Sequence, residues 1–205
     1  MKDIRFVSPT TVDDAVEELS KANGSARVLA GGTDLLVQLR SGRIQPEVVV
    51  DVKRIPELTA ISTDGDGAYT IGAAVAGAQL DEDGTFKKAW PGVMEAFDLI
   101  GSTQIQGRAS LGGNLCNGSP AADSVPAMIA AGAVATVAGP NGRREVNVED
   151  VVTGPGRTSL QAGEFVVFFK LPKRSANTGD AYLRFIPRTE MDIAVVGAGV
   201  NLEVD

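Results

Sequence analysis

The sequence predicts an α+β fold, and three observations carry that expectation. Strand-like and helix-like runs are interspersed, but without the long helices at about 30-residue spacing that a doubly wound parallel sheet requires. The 205 residues are 43% hydrophobic, and a chain of that size buries roughly 70% of its unfolded surface. No apolar run approaches the ~18 residues of a membrane span, and no basic, apolar leader occupies Met1 to Thr10, so a soluble, cytoplasmic chain is expected.

The elements follow in order. Val12, Ala15, Val16 and Leu19 recur at helical spacing over Thr11 to Ala22, and Thr11 with Asp14 forms a capping pattern. Arg27 to Leu29 is a short strand-like run that stops at Gly31-Gly32, and Leu35, Leu36 and Leu39 then resume helical spacing. Val48 to Val52 reads as a buried strand in a segment bracketed by Pro46 and Pro56. A small α/β unit over residues 1–57 is therefore expected. Beyond it, Tyr69 to Val75, Ala133 to Ala138, Val146 to Val148, Phe165 to Leu171 and Ile193 to Val204 read as strands, and Trp90 to Ile100 and Ala121 to Ala131 as helices. Trp90, next to Pro91, is expected to pack at a helix start.

Composition removes several classes of function. A formal net charge of −7 without a basic run gives little footing on a nucleic-acid backbone, so no nucleic-acid partner is expected. With no histidine and one cysteine, an ordinary zinc, haem or iron-sulfur site is not expected, and the usual base of a hydrolase triad is missing. Redox chemistry would need an organic cofactor. Cys116, lacking a histidine partner, reads as a buried or incidental thiol. Gly197-Ala198-Gly199 lacks the third glycine of a dinucleotide fingerprint and reads as strand.

Two glycine-rich segments carry the chemistry. In Ala30-Gly31-Gly32-Thr33-Asp34-Leu35-Leu36 a glycine turn leads into a helix start, which can aim successive N–H groups at a phosphate without a lysine. Asp34 would repel that phosphate, so its carboxylate is expected to turn aside onto free helix N–H groups, leaving Thr33 as the better ligand. An ordinary strand-to-helix turn explains the heptapeptide equally well. The second segment, Gly101 to Asp123, is rich in glycine and small polar residues, so its backbone can approach a large ligand. Ser110 and Asn114 offer hydroxyl and amide groups to a pyrophosphate, with Gly112-Gly113 between them as N–H donors. Asp123 either caps the following helix or accepts hydrogen bonds from sugar or ribityl hydroxyls.

These segments resemble the FAD-binding subunits of the xanthine dehydrogenase and carbon monoxide dehydrogenase family, over nearly the whole chain. Leu29 to Leu36 is similar to the family's first flavin loop, and Ser110-Leu111-Gly112-Gly113-Asn114 to its second. Ser119-Pro120-Ala121-Ala122-Asp123 resembles the segment whose aspartate contacts the flavin nucleotide, and Arg188 to Ala194 resembles the junction into the family's final domain. The resemblance implies a PCMH-type FAD-binding domain with a small α/β part (1–57) and a larger α+β part (58–178), followed by the start of a C-terminal domain (179–205). It implies a cofactor site of Arg27, Val28, Leu29, Ala30, Gly31, Gly32, Thr33, Asp34, Leu35, Ser110, Gly112, Gly113, Asn114 and Asp123. Asn117, Val166 and Arg184 join it, Arg184 where lysine is frequent. Gln106-Gly107 stands where the family often has Arg-Asn, so one positive charge is missing.

By the same resemblance, FAD passes electrons from an iron-sulfur subunit, fed by a molybdenum-pterin subunit, to NAD, oxygen or a quinone, and no side chain of this chain is a catalytic acid or base. A stand-alone flavin reductase of this fold, or an interaction module without flavin, stays open. A shortened final domain is expected to leave exposed surface on the Asp192 to Asp205 strand.

Overall fold

The computed structural model describes residues 3–189 and 191–205. Its first layer is a three-stranded parallel sheet in the order Arg5–Val7, Val48–Asp51, Ala26–Leu29. The central strand is apolar on both faces, and Val48, Val49 and Val50 are all buried, as a covered parallel strand requires. The helix Val12–Lys21 lays Val12, Ala15 and Leu19 on it. Thr11 caps that helix, its Oγ1 accepting the Asp14 N–H at 3.1 Å.

A five-stranded antiparallel sheet follows, in the order Ile61–Thr63, Tyr69–Gly72, Phe165–Leu171, Val134–Gly139, Gly142–Asn147. Phe165–Leu171 runs through its middle and serves two cores. Phe165 and Val167 pack with Val50, Leu58 and Leu19 beneath the parallel sheet. Val166, Phe169 and Leu171 pack with Phe86, Met94, Phe97 and Met128 on the other face. A bulge between Val166 and Phe168 shifts the inward and outward alternation there.

The third layer is a hairpin of Thr178–Phe185 and Val196–Glu203, packed on the helices Pro91–Phe97 and Ser124–Ala130. Missing side chains let it come close: a Cβ on Gly92 would lie 2.6 Å from the Ala181 nitrogen, and one on Gly199 2.6 Å from the Pro126 carbonyl oxygen. Asp180 fixes the contact, its Oδ2 accepting the N–H groups of Gly92 at 2.8 Å and Val93 at 3.3 Å. Its other oxygen pairs with Arg174, whose guanidinium stacks 4.7 Å from the buried Trp90 ring. The hairpin's opposite face is apolar and open, with Leu183 78% and Phe185 61% exposed.

Several expectations change in detail. The helix expected from Ala121 begins at Ser124, and the helix after Trp90 ends at Phe97. The last strand begins at Val196 rather than Ile193. Glu190, within the expected junction Arg188 to Ala194, lies outside the described residues. The strands Arg5–Val7 and Thr178–Phe185 and the helix Leu111–Cys116 went unpredicted. Among the described residues no helix is long and apolar enough to cross a membrane.

Candidate functional site

The two glycine segments meet. A Cβ on Gly31 would stand 1.9 Å from the Arg108 carbonyl oxygen, so backbone touches backbone where the parallel unit adjoins the second loop. A cleft of about 1000 Å³ opens beside this contact. Its wall includes Arg27, Val28, Ala30, Gly31, Gly32, Thr33, Asp34 and Leu35 from the first segment, and Ser110, Gly112, Gly113, Asn114 and Asn117 from the second. Val166, on the central antiparallel strand, also lines it. Leu29 stands back from the wall, its side chain packed beneath Gly32.

The first loop is built to present donors. Gly32 has φ +82°, a left-handed turn that favours glycine, and the helix Leu35–Arg40 starts directly afterwards. Among the described residues, the backbone N–H groups of Gly31, Gly32, Thr33, Asp34 and Leu35 have no protein acceptor. Five consecutive unpartnered donors on a cleft wall form an anion-binding surface. Asp34 departs from expectation, since its carboxylate makes no capping hydrogen bond. Although the residue keeps exposed surface, partial desolvation on the cleft wall raises its carboxyl pKa.

The second loop has used its donors on itself. Ser110 is buried, and its Oγ caps the helix Leu111–Cys116 by accepting the Gly113 N–H at 3.1 Å. The Gly112 N–H goes to the Ala73 carbonyl at 3.1 Å, and a Cβ on Gly112 would lie 2.5 Å from that oxygen. The Gly112 and Gly113 N–H groups expected as pyrophosphate donors are therefore taken by protein acceptors, whereas the Ser110 hydroxyl, which accepts here, keeps its O–H as a donor on the cleft wall. What this segment offers the cleft is access, because Gly113 is exposed, together with the side chains of Asn114 and Asn117. Asn114 Oδ1 accepts from Ser124 N at 3.3 Å and Ser124 Oγ at 2.7 Å, and among the described residues its Nδ2 has no partner. Asn117 Oδ1 accepts from Gln38 Nε2 at 3.0 Å, tying the first loop's helix to the second loop.

Asp123 and Arg184 do not line the cleft. They bond to each other at 3.1 Å. Asp123 does not cap the helix that follows it, which corrects one of its two expected roles. Of the two expected readings of Cys116 the incidental thiol remains and the buried one does not, since the residue lines the cleft with exposed surface. The protein around it nevertheless pushes its thiol pKa up to about 12, so the reactive thiolate is scarce at neutral pH.

Sequence reasoning missed Gln38, Arg43, Ile44 and the segment Gln161 to Glu164, all on the cleft wall. Gly163 itself was the available sequence signal for the last, a glycine that takes a positive φ in the fold. Arg27 and Arg43 bring positive charge to the cleft.

Five free N–H groups, two arginines and a cleft of this volume fit a large, anionic, diphosphate-bearing cofactor. The family described as "FAD binding domain in molybdopterin dehydrogenase" matches residues 2–174, and the chain belongs to that family, whose cofactor is FAD. It is similar to the xanthine dehydrogenase FAD-binding subunit of Escherichia coli O157:H7, 34% identical over 196 residues that cover 95% of this chain and 67% of the relative. It is 33% identical to the carbon monoxide dehydrogenase medium chain of Hydrogenophaga pseudoflava over 195 residues, again 95% of this chain and 67% of the relative. The solved carbon monoxide dehydrogenase from Hydrogenophaga pseudoflava superposes with a TM-score of 0.93 at 32% identity, covering 98% of this chain and 70% of that one.

Proposed function

We propose that the chain is the FAD-binding electron-transfer subunit of a molybdenum hydroxylase, working beside an iron-sulfur subunit and a molybdenum-pterin subunit in the cytoplasm. When bound, FAD would supply the redox chemistry that carries electrons toward NAD, oxygen or a quinone. The chain's own residues bind and orient. The observation that carries this reading is the run of unpartnered N–H groups from Gly31 to Leu35, on residues that line a cleft shared with the second loop.

In this reading Gly31 to Leu35 cradle the diphosphate, with Arg27 and Arg43 adding charge. Asn114 and Asn117 would contact the cofactor from the second loop, Val166 would form an apolar wall, and Asp123, paired with Arg184, would accept hydrogen bonds from sugar or ribityl hydroxyls. Residues 1–57 and 58–178 act as the two halves of the flavin site, and 179–205 begin a further domain. The relatives' names, together with the open apolar face around Leu183 and Phe185, favour a chain that works in an assembly.

Titrating the purified chain with FAD and with riboflavin tests the reading, using flavin fluorescence and visible absorption. Because each N–H bond to a phosphate oxygen contributes about 1.5–3 kcal/mol, FAD is expected to bind at least ~100-fold more tightly than riboflavin. Equal affinities would remove the diphosphate cradle from the proposal.

A further inference from the structure

We infer that Tyr182 is a positioning residue, which holds the Asp123 carboxylate in a fixed orientation toward the cofactor; this rests on the FAD reading above. Three hairpin positions are committed to this one carboxylate. The Tyr182 hydroxyl donates to Asp123 Oδ1 at 2.9 Å, and Arg184 Nη1 donates to Oδ2 at 3.1 Å and to the Leu99 carbonyl at 2.9 Å. The third position is Gly197. The register sets Gly199 opposite Tyr182 and Gly197 opposite Arg184, which makes Gly197 the diagonal neighbour of the tyrosine. A Cβ there would lie 2.2 Å from the phenol oxygen, so a residue without a side chain leaves the hydroxyl its path to Asp123.

Asp123 is not spent on capping a helix. It occupies the position where a helix cap is expected yet makes no capping bond, because the Val125 N–H goes to the Ala122 carbonyl and Pro126 has no N–H to offer. A carboxylate offers about four acceptor sites, and two donors fix its plane while leaving two sites for ligand hydroxyls. The group adjoins the cleft wall through its neighbours: Ser124, the next residue, bonds the lining residue Asn114, and Arg184 bonds the Leu99 carbonyl beside the lining residue Ile100. Burial, and then the bond to Asp123, push the Tyr182 pKa up, so the phenol remains a donor throughout the physiological range. A tyrosine that merely filled the core would need no hydroxyl, and phenylalanine would serve as well.

The test measures FAD dissociation constants, the visible circular dichroism of bound flavin and urea midpoints for the full chain, Tyr182→Phe, Asp123→Asn and the double variant. Tyr182→Phe is expected to weaken FAD about tenfold and to alter the flavin dichroism. In the Asp123→Asn background the same change is expected to have no further effect on affinity, since residues acting through one group are non-additive. Gly197→Ala is expected to reproduce the loss of Tyr182→Phe and to be equally silent in that background. Wild-type affinity in Tyr182→Phe, or losses that multiply in the double variant, would overturn the inference and leave the FAD reading standing. A wild-type chain that takes up no FAD would overturn both, and an Asp123→Asn chain with unchanged affinity would overturn the inference through Asp123.

Discussion

The two glycine loops look alike in sequence and do opposite things in the fold. In Gly31-Gly32 one glycine permits contact with the Arg108 carbonyl and the other supplies a left-handed turn, and the N–H groups that follow stay free. In Gly112-Gly113 the donors are consumed by the loop's own helix and by Ala73, and Gly113 alone keeps an open face. A Gly-Gly pair thus signals close backbone approach, while what approaches differs: an anion at the first loop, neighbouring protein at most of the second.

Substitutions that separate packing from ligand contact break this comparison most directly. Gly31→Ala should have the largest effect, because the added methyl meets backbone at 1.9 Å. It is expected to cost about 3 kcal/mol in urea unfolding and to abolish FAD retention. Gly113→Asp should do the reverse, since a Cβ there meets only Ser110 Oγ, at 3.3 Å. On a charge-repulsion argument FAD affinity is expected to fall about 100-fold with little change in the unfolding midpoint. Gly112→Ala, whose methyl would lie 2.5 Å from the Ala73 carbonyl oxygen, is expected to cost about 2 kcal/mol. Its effect on FAD should track that loss of stability, as a packing glycine requires.

Smaller effects sharpen the contrast. Gln38→Ala removes the bond to Asn117 and should cost about 1 kcal/mol or less, with a few-fold faster FAD release in stopped-flow fluorescence. Asp34 should make binding depend on pH. Desolvation raises its pKa above the ordinary 3.8, so the folded chain holds this proton more tightly than the unfolded chain. The penalty for the charged form is fully present above the folded pKa and is relieved as pH falls through it toward 3.8. A neighbouring diphosphate acts in the same direction. FAD affinity should therefore rise as pH falls from neutral into that window, and Asp34→Asn should flatten the profile measured by fluorescence titration.

Legibility followed the range of the interactions. The helix Val12–Lys21 was readable because Thr11, Asp14 and the apolar spacing are all local. Phe165–Leu171 was readable because a strand buried on both faces is a continuous apolar run. The helix Leu111–Cys116 was not, because paired glycines have poor helix propensity; the Ser110 cap and the Ala73 contact stabilise it from outside that propensity. Thr178–Phe185 was hidden because its inward positions include Asp180 and Arg184, which become buriable only through partners at Arg174 and Asp123.

By itself the sequence determined the elements whose stabilising contacts lie within a few residues, the glycine segments, and a charge and histidine content that leave redox work to a cofactor. Only the tertiary structure decided which backbone N–H groups remain free, because a donor's availability depends on whether a distant carbonyl, such as that of Ala73, has already taken it. The same physics separates Asp123 from an ordinary helix cap: its partners stand 59 and 61 residues away along the chain, and three-dimensional packing brings them within hydrogen-bond reach.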